Sequence, residues 1–398
     1  MAGHGPLDTQ IRDLQRALSG SAAGDADTWT RLAQSLVHKA RQVSDDRLYA
    51  QAEDAASRAL RVSPQHAGAR HVQLALLLQQ HRFRDAHRQA ADLLRQAPRD
   101  ATAWGALGDA AIELGDYAAA QRAYQAMIDL KPDLRSYSRG AWLRYLFGDG
   151  DGAIDLMQQA IDAGSVREPE SRAYCRVHRA ELLSLRGRYA EAQTELEQAL
   201  AELPGYAAAQ AARGRLLLHA HKDARAALPE LYAALSTDPQ PSTRIALLVA
   251  HEALGQTQEA SEQQRTILQE GPRHDPRAVA IFMASRKQQP DLALRLAQSE
   301  AQQRPDLWSA DALAWTLFHS DRVEEAWLMI QRAAEPGIID PRIDFHRGVI
   351  AHARGDHDSA RTTLQRALAT SPQWDLRDAA TARALLQQLD RRPQPVRN

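Results

Sequence analysis

Two aspartates alternate with glycines in "FGDGDGAIDL", residues 147–156. Carboxylates spaced in this way are the donor pattern of a helix–loop–helix calcium site. Such a site needs oxygen ligands at loop positions 1, 3, 5, 7, 9 and 12, with Gly at 6. With Gly152 at position 6, Asp149 falls at 3 and Asp151 at 5, but Phe147 stands at 1 and Gln158 at 12. Phe has no side-chain oxygen and Gln cannot offer a bidentate carboxylate, so calcium chemistry is not expected. Cys175 lies three residues before His178, but one Cys and one His do not complete a metal site. As the sole cysteine it has no internal disulfide partner. His219 and His221 are two apart and face different sides of a helix, His346 and His352 are six apart, and His352 and His357 straddle a turn. The 15 histidines read as surface residues. HExxH, Gly-x-Ser-x-Gly and a phosphate loop are all missing. The expectation is a protein that is not an enzyme and has no cofactor and no metal.

The Gly-Asp step has another reading once its neighbours are aligned. "LGDYAAA" (114–120), "FGDGDGA" (147–153), "RGRYAEA" (186–192), "LGQTQEA" (254–260) and "RGDHDSA" (354–360) are one turn repeated. Gly supplies the left-handed residue that ends a helix. The Asp that follows it in three of them suits the start of the next helix. By this reading the extra Gly150 and Gly152 are local softness. A small residue after the turn recurs as Ala52, Ala86, Ala120, Ala153, Ala192, Ala227, Ala260, Ala293, Ala326 and Ala360, in steps of 34, 34, 33, 39, 35, 33, 33, 33 and 34. Closing prolines recur at Pro64, Pro98, Pro132, Pro204, Pro239, Pro272, Pro305 and Pro372, each expected to end a helix for want of an N–H.

In "ATAWGALGDAAIELGDYAAAQRAYQAMIDLKP" (101–132), Trp104, Leu107, Gly108, Ala120, Tyr124 and Pro132 keep the spacing W-x2-L-G…A-x3-F…P. This stretch resembles a tetratricopeptide repeat, a pair of antiparallel helices in about 34 residues. The resemblance implies an all-α fold: a right-handed α-solenoid of about ten helix pairs. The expected organisation is a flexible N-terminus with one short helix (1–27, with 1–6 disordered), the solenoid (28–372), a C-terminal capping helix (373–390) and a disordered tail (391–398). Three irregularities stand out. "QVSDDR" (42–47) extends the first inter-helix turn, "DAGSVREPESR" (162–172) makes the 39-residue step, and the eighth repeat (276–305) replaces the Gly turn with Gln289-Pro290.

Proteins of this family bind extended partner segments along the face lined by the first helix of each repeat. Counted from each repeat start, the positions expected on that face are Arg135, Ser138, Arg139, Trp142 and Tyr145 in repeat four. Repeat nine adds Trp308, Asp311, Trp315 and Phe318, and repeat ten adds Arg342, Phe345, His346 and His352. Guanidinium forks suit carboxylates and aromatics supply apolar anchor area. The competing reading is inter-repeat core. Chaperone-tail-binding members clamp a carboxylate with five side chains over three repeats. Arg135 and Arg139 resemble the last pair, but His71, Ala75 and Ala106 stand at the other three places, so that ligand is not implied.

The chain has 398 residues, 44% hydrophobic, and a net charge of −1. Near-neutral charge gives no reason to expect nucleic acid or an anionic membrane surface, and no run of 18 apolar residues offers a membrane span. The partner expected is a protein or peptide. Only Lys39, Lys131, Lys222 and Lys287 are lysines, and the chain resembles long tetratricopeptide proteins of GC-rich bacteria. The function expected is a scaffold or adaptor, the alternative a structural subunit of an envelope, secretion or polysaccharide-export assembly. The N-terminus "MAGHGPLDTQ" has no apolar signal core, which reads as cytoplasmic, or as periplasmic or exported if a signal has been trimmed.

Overall fold

A computed structural model describes residues 5–20, 24–43, 45 and 47–391. Of the expected loose ends, 1–4 and 392–398 lie outside these residues, as do 44 and 46; the first turn is not extended as expected, because α2 runs to Val43 and α3 begins at Arg47. The described chain is helical throughout and contains no strand. It divides into two compact units, Met1–Lys131 and Pro132–Asn398.

The first unit holds α1 (Pro6–Leu18), then the pairs α2 (Ala26–Val43) with α3 (Arg47–Val62), α4 (Ala67–Gln79) with α5 (Phe83–Gln96), and α6 (Ala101–Glu113) with α7 (Tyr117–Leu130). Ile11, Leu14 and Leu18 of α1 share a core with Leu32, Ala33 and Leu36 of α2. Further on, Leu74, Ala90, Leu93, Leu94, Ala103 and Ala106 knit α4, α5 and α6 together. The Leu-Gly spacing has a steric reason. A Cβ on Gly108 would overlap the Tyr124 ring, so α6 and α7 close to contact only because that residue is bare, and Tyr124 Oη then donates to Asp109 Oδ1 (2.9 Å).

The second unit continues with α8 (Leu134–Leu146) and α9 (Gly150–Ala163), α10 (Pro169–Leu185) and α11 (Tyr189–Glu202), and α12 (Ala207–Arg215), which runs into a π-helical turn at Leu216–Ala220, and α13 (Ala224–Thr237). Then come α14 (Pro241–Ala253) and α15 (Thr257–His274), α16 (Pro276–Ser285) and α17 (Pro290–Gln303), α18 (Leu307–Phe318) and α19 (Val323–Ala334), and α20 (Pro341–Ala353) and α21 (His357–Thr370). α22 (Leu376–Asp390) closes the series.

The local rules behind these boundaries are consistent. Asp100, Asp116, Asp133, Asp149, Asp223, Asp275, Asp306, Asp340, Asp356 and Asp375 each cap a helix by accepting from a first-turn N–H, a bond worth about 1 kcal/mol. Gly115, Gly148, Gly187, Gly255 and Gly355 take positive φ at the repeated turn. Every alanine of the recurring series is buried, at 8% exposure or less, because a larger side chain there would hold the paired helices apart.

One expectation needs correction. Pro272 does not close its repeat: α15 runs through it to His274, and Asp275 N still donates to Gly271 O (2.9 Å). A proline in a last turn removes only its own N–H. A Cβ on Gly152 would meet only the side-chain ends of Asp149 and Arg144, and Ala119 holds the same place after the Asp116 cap. In the eighth repeat Lys287 and Gln289 adopt φ of +53° and +45° without being glycine, a strain of about 1–2 kcal/mol per residue.

Within the second unit the chain returns on itself. Tyr145 Oη, at the end of α8, donates to Asp340 Oδ2 (2.5 Å), the capping residue of α20 and 195 positions away. The Gly148 turn abuts Gly337, and Tyr189 at the start of α11 meets Ser371 (Oη to Oγ, 3.0 Å).

Candidate functional site

First helices of the second unit bring a set of polar and aromatic side chains together. On α8, Trp142 sits edge-on to Tyr145 (5.7 Å between ring centres) and to His178 of α10 (5.3 Å). His178 also meets Tyr174 (4.1 Å), and its Nδ1 lies 3.0 Å from Glu181 Oε2. Arg215 of α12 donates to Glu181 Oε1 (3.0 Å). Burial raises the Glu181 carboxyl, but His178 and Arg215 outweigh it and hold the group at about 2. A few residues on, in the π-helical turn, His219 Nδ1 accepts from Leu376 N (3.2 Å) and lies 3.5 Å from Asp375 Oδ2. Burial lowers the His219 ring, against the pull of Asp375.

The set continues through α22, α20 and α18 back to α8. Asp375 Oδ1 caps α22, accepting from Arg377 N (2.8 Å) and Asp378 N (3.0 Å). Asp378 is pushed up to about 7 by burial and by Asp375, against His346, Arg377 and Arg342. Arg342 stacks over Trp308 (5.2 Å) and its Nε lies 3.4 Å from Asp311 Oδ2. Asp311 Oδ1 holds His346 Nδ1 at 2.7 Å, and the His346 ring stacks on Trp315 (4.0 Å, 14°). Trp308 in turn stacks on Tyr145 (6.5 Å, 20°). Burial, then Asp340, raises the Tyr145 phenol well above its usual range, so it remains a neutral donor. Direct contacts and, between Arg215 and His219 and around Asp378, charge interactions join the set into one polar circuit. Glu181, Arg215, Arg342 and Asp375 each keep about a third of their side-chain surface open, so solvent reaches it.

A His–Asp pair is the base and orienter of an acyl-transfer triad. Here His346 is 1% exposed and packed on Trp315, so the pair ties α18 to α20. Among the described residues no three His, Cys, Asp or Glu side chains are grouped to hold a metal ion. Asp149 is engaged by Gly152 N (2.9 Å) and Arg144. Cys175 is buried and its thiol is pushed up to about 12, which keeps it protonated and inert.

The residues singled out from the sequence divide by exposure. Arg135 is exposed, Arg139 and Trp142 are half-buried, and Arg139 Nη1 donates to Arg135 O (3.1 Å). Ser138 is buried, with its hydroxyl on Arg135 O (3.2 Å). Tyr145, Asp311 and Trp315 are buried, Trp315 donating to Ser285 Oγ (2.8 Å). Trp308 and Phe318 are half-buried, Phe318 stacked on Trp315 (5.5 Å). Phe345 is buried between Trp315 and Trp374, and His352 lies beside His357 (5.3 Å). The surface reading of the histidines fails for His251 and His346, which are buried.

Repeat counting missed Tyr174, His178, Glu181, Arg215, His219, Asp375 and Asp378. The insert before α10 shifts the count, the π-turn displaces His219, and Asp375 and Asp378 belong to the capping helix. One signal was present: Tyr174, His178 and Glu181 share a helical face at steps of four and three.

Asp378→Asn should stabilise the second unit. A carboxyl raised from 3.8 to about 7 in the folded state favours folding fully below 3.8 and loses that benefit as pH rises through 7. The gain of the Asn variant therefore grows across this window and levels off above it. Denaturant unfolding at about pH 8 should show a gain of about 1 kcal/mol or more, with a smaller one at about pH 5. A gain independent of pH would place Asp378 in full contact with water.

Comparison with known proteins fits this architecture. The Tetratricopeptide repeat profile matches residues 75–135, 106–168 and 179–242. The human IFIT1 dimer with PPP-AAAA superposes with a TM-score of 0.53 at 14% identity, covering 92% of this chain and 87% of that one. The Cut9 APC/C hetero-tetramer with Hcn1 gives 0.47 at 14% identity, covering 95% of this chain, which spans only 59% of that one. Yeast Tom70 gives 0.43 at 13%, with 96% and 92% covered. Only the first of these exceeds 0.5, and at 14% identity it concerns the fold alone. No curated protein matches, and no helix among the described residues is long and apolar enough to cross a membrane. Helix pairs repeated every 33 to 35 residues save one 39-residue step, and matched by that profile over 75–168 and 179–242, show that the chain carries tetratricopeptide repeats.

Proposed function

We propose that the chain is a protein-interaction scaffold that takes a carboxylate-bearing partner segment on the first-helix face of α8 and α10. The observation that carries the reading is the group of Trp142, His178 and Tyr174. Tyr174 is 44% exposed, and the three rings meet edge to face within 5.3 Å. Arg135 and Arg139 stand two turns and one turn before Trp142 on α8. An aromatic surface of this kind accepts apolar side chains at low conformational cost, and a guanidinium fork adds bidentate recognition. Tyr145, Asp311 and Trp315 hold this face in shape. Capture with the intact chain would supply the partner, and calorimetry would measure its affinity. The Arg135→Ala, Arg139→Ala double variant should weaken binding by tens of fold, about 2 kcal/mol or more, with helical content unchanged. An unaltered dissociation constant would put the anchor elsewhere.

A further inference from the structure

Residues 371–376, the link between α21 and α22, are held by repeats far back in the chain. Ser371 Oγ donates to Ser184 O (3.0 Å) and lies 3.0 Å from Tyr189 Oη. Gln373 N donates to Tyr189 Oη (2.9 Å), and Leu376 N to His219 Nδ1 (3.2 Å). The Gly187 turn leaves room for Pro372, whose Cδ would lie 3.3 Å from a Cβ at that position. The partners are 157 to 187 residues apart in sequence.

This contact differs from the other point of return. The Tyr145–Asp340 bond is buried among aromatic rings. The backward contact of 371–376 onto α10, α11 and the π-turn is mostly hydrogen bonds, with Leu376, the first residue of α22, its main apolar member against the Leu218–Leu231 core; Trp374 packs the other way, on Phe345. Each such bond contributes modestly because water offers a substitute, and Asp378 sits beside the like-charged Asp375 at its edge. A contact with few buried apolar partners opens before the packed helices around it.

We propose that residues 371–376 are a reversible latch, which clasps α22 to α10, α11 and the π-turn and, when released, opens the polar circuit between His219 and Asp375. The scaffold reading supplies its purpose, since the face closed by the latch continues into the one assigned to a partner, but the latch itself stands on the contacts above.

Hydrogen exchange on the intact chain, without any partner, tests it. Tyr189→Phe with His219→Ala removes both side-chain acceptors. Exchange of the Gln373 and Leu376 amides should quicken at least tenfold while amides of α18 to α20 keep their protection. Asp378→Asn, which relieves the repulsion and disturbs no packed apolar group, should slow exchange of the same two amides. Exchange at 371–376 unmoved by either change, or a rise shared equally by α18 to α20, would overturn the latch. Because no ligand enters the measurement, failure to find a partner would leave this result standing, and failure here would leave the scaffold reading standing.

Discussion

Asp311→Ala should destabilise the second unit by about 2–3 kcal/mol. The Asp311 side chain is fully buried, with His346 Nδ1 at 2.7 Å and Arg342 Nε at 3.4 Å. Burial raises this carboxyl, yet His346 and Arg342 outweigh it and the net shift is downward. A lowered carboxyl contributes stability above its ordinary 3.8 that is lost as pH falls through the folded value. Removing it leaves the Arg342 charge without its nearest anion and the His346 ring without its partner. The unpartnered His346 ring dominates the cost, since Arg342 keeps 38% of its side-chain surface open to water. Urea unfolding at neutral pH would measure it. A loss of less than about 1 kcal/mol, the size of an ordinary surface change, would mean that water already solvates the pair.

Gly148→Ala should lower stability by about 2–4 kcal/mol, through backbone strain and overpacking together. Gly148 has a φ of +83°, and a Cβ there would stand 2.6 Å from the backbone oxygen of Gly337. Neither contribution can relax cheaply, since the obstacle is main chain. Gly255 is the internal control. It occupies the equivalent turn at a φ of +72° with nothing within 4 Å of a Cβ, so Gly255→Ala should show the strain alone, about 1–2 kcal/mol. The difference between the two variants measures the contact between the α8–α9 turn and the loop before α20. Equal losses would mean that this contact yields at no cost.

The turn chemistry was readable because each of its reasons is local. A Gly at a helix end, an Asp at the next start and an alanine where paired axes approach act within about one repeat, and each recurs often enough to separate from chance. Pro272 shows the limit of that reading, since α15 runs through it to His274 and the proline alone does not announce that. The aromatic positions of repeats four and nine were readable as one helical face. Whether that face met solvent or protein was not, because Tyr145 and Trp308 are 163 residues apart in sequence and stacked in space.

From the sequence alone came the all-helical repeat, its period, its turns and the helix face that carries Arg135, Trp142, Trp308 and Asp311. Tertiary structure alone decided that α8, α10 and the π-turn after α12 would meet α18, α20 and α22. The physical reason is that nearest-neighbour packing sets a small rotation between successive repeats. Only the sum of those rotations over five or six repeats places Tyr145 against Asp340 and His219 against Asp375, and no single repeat encodes that sum.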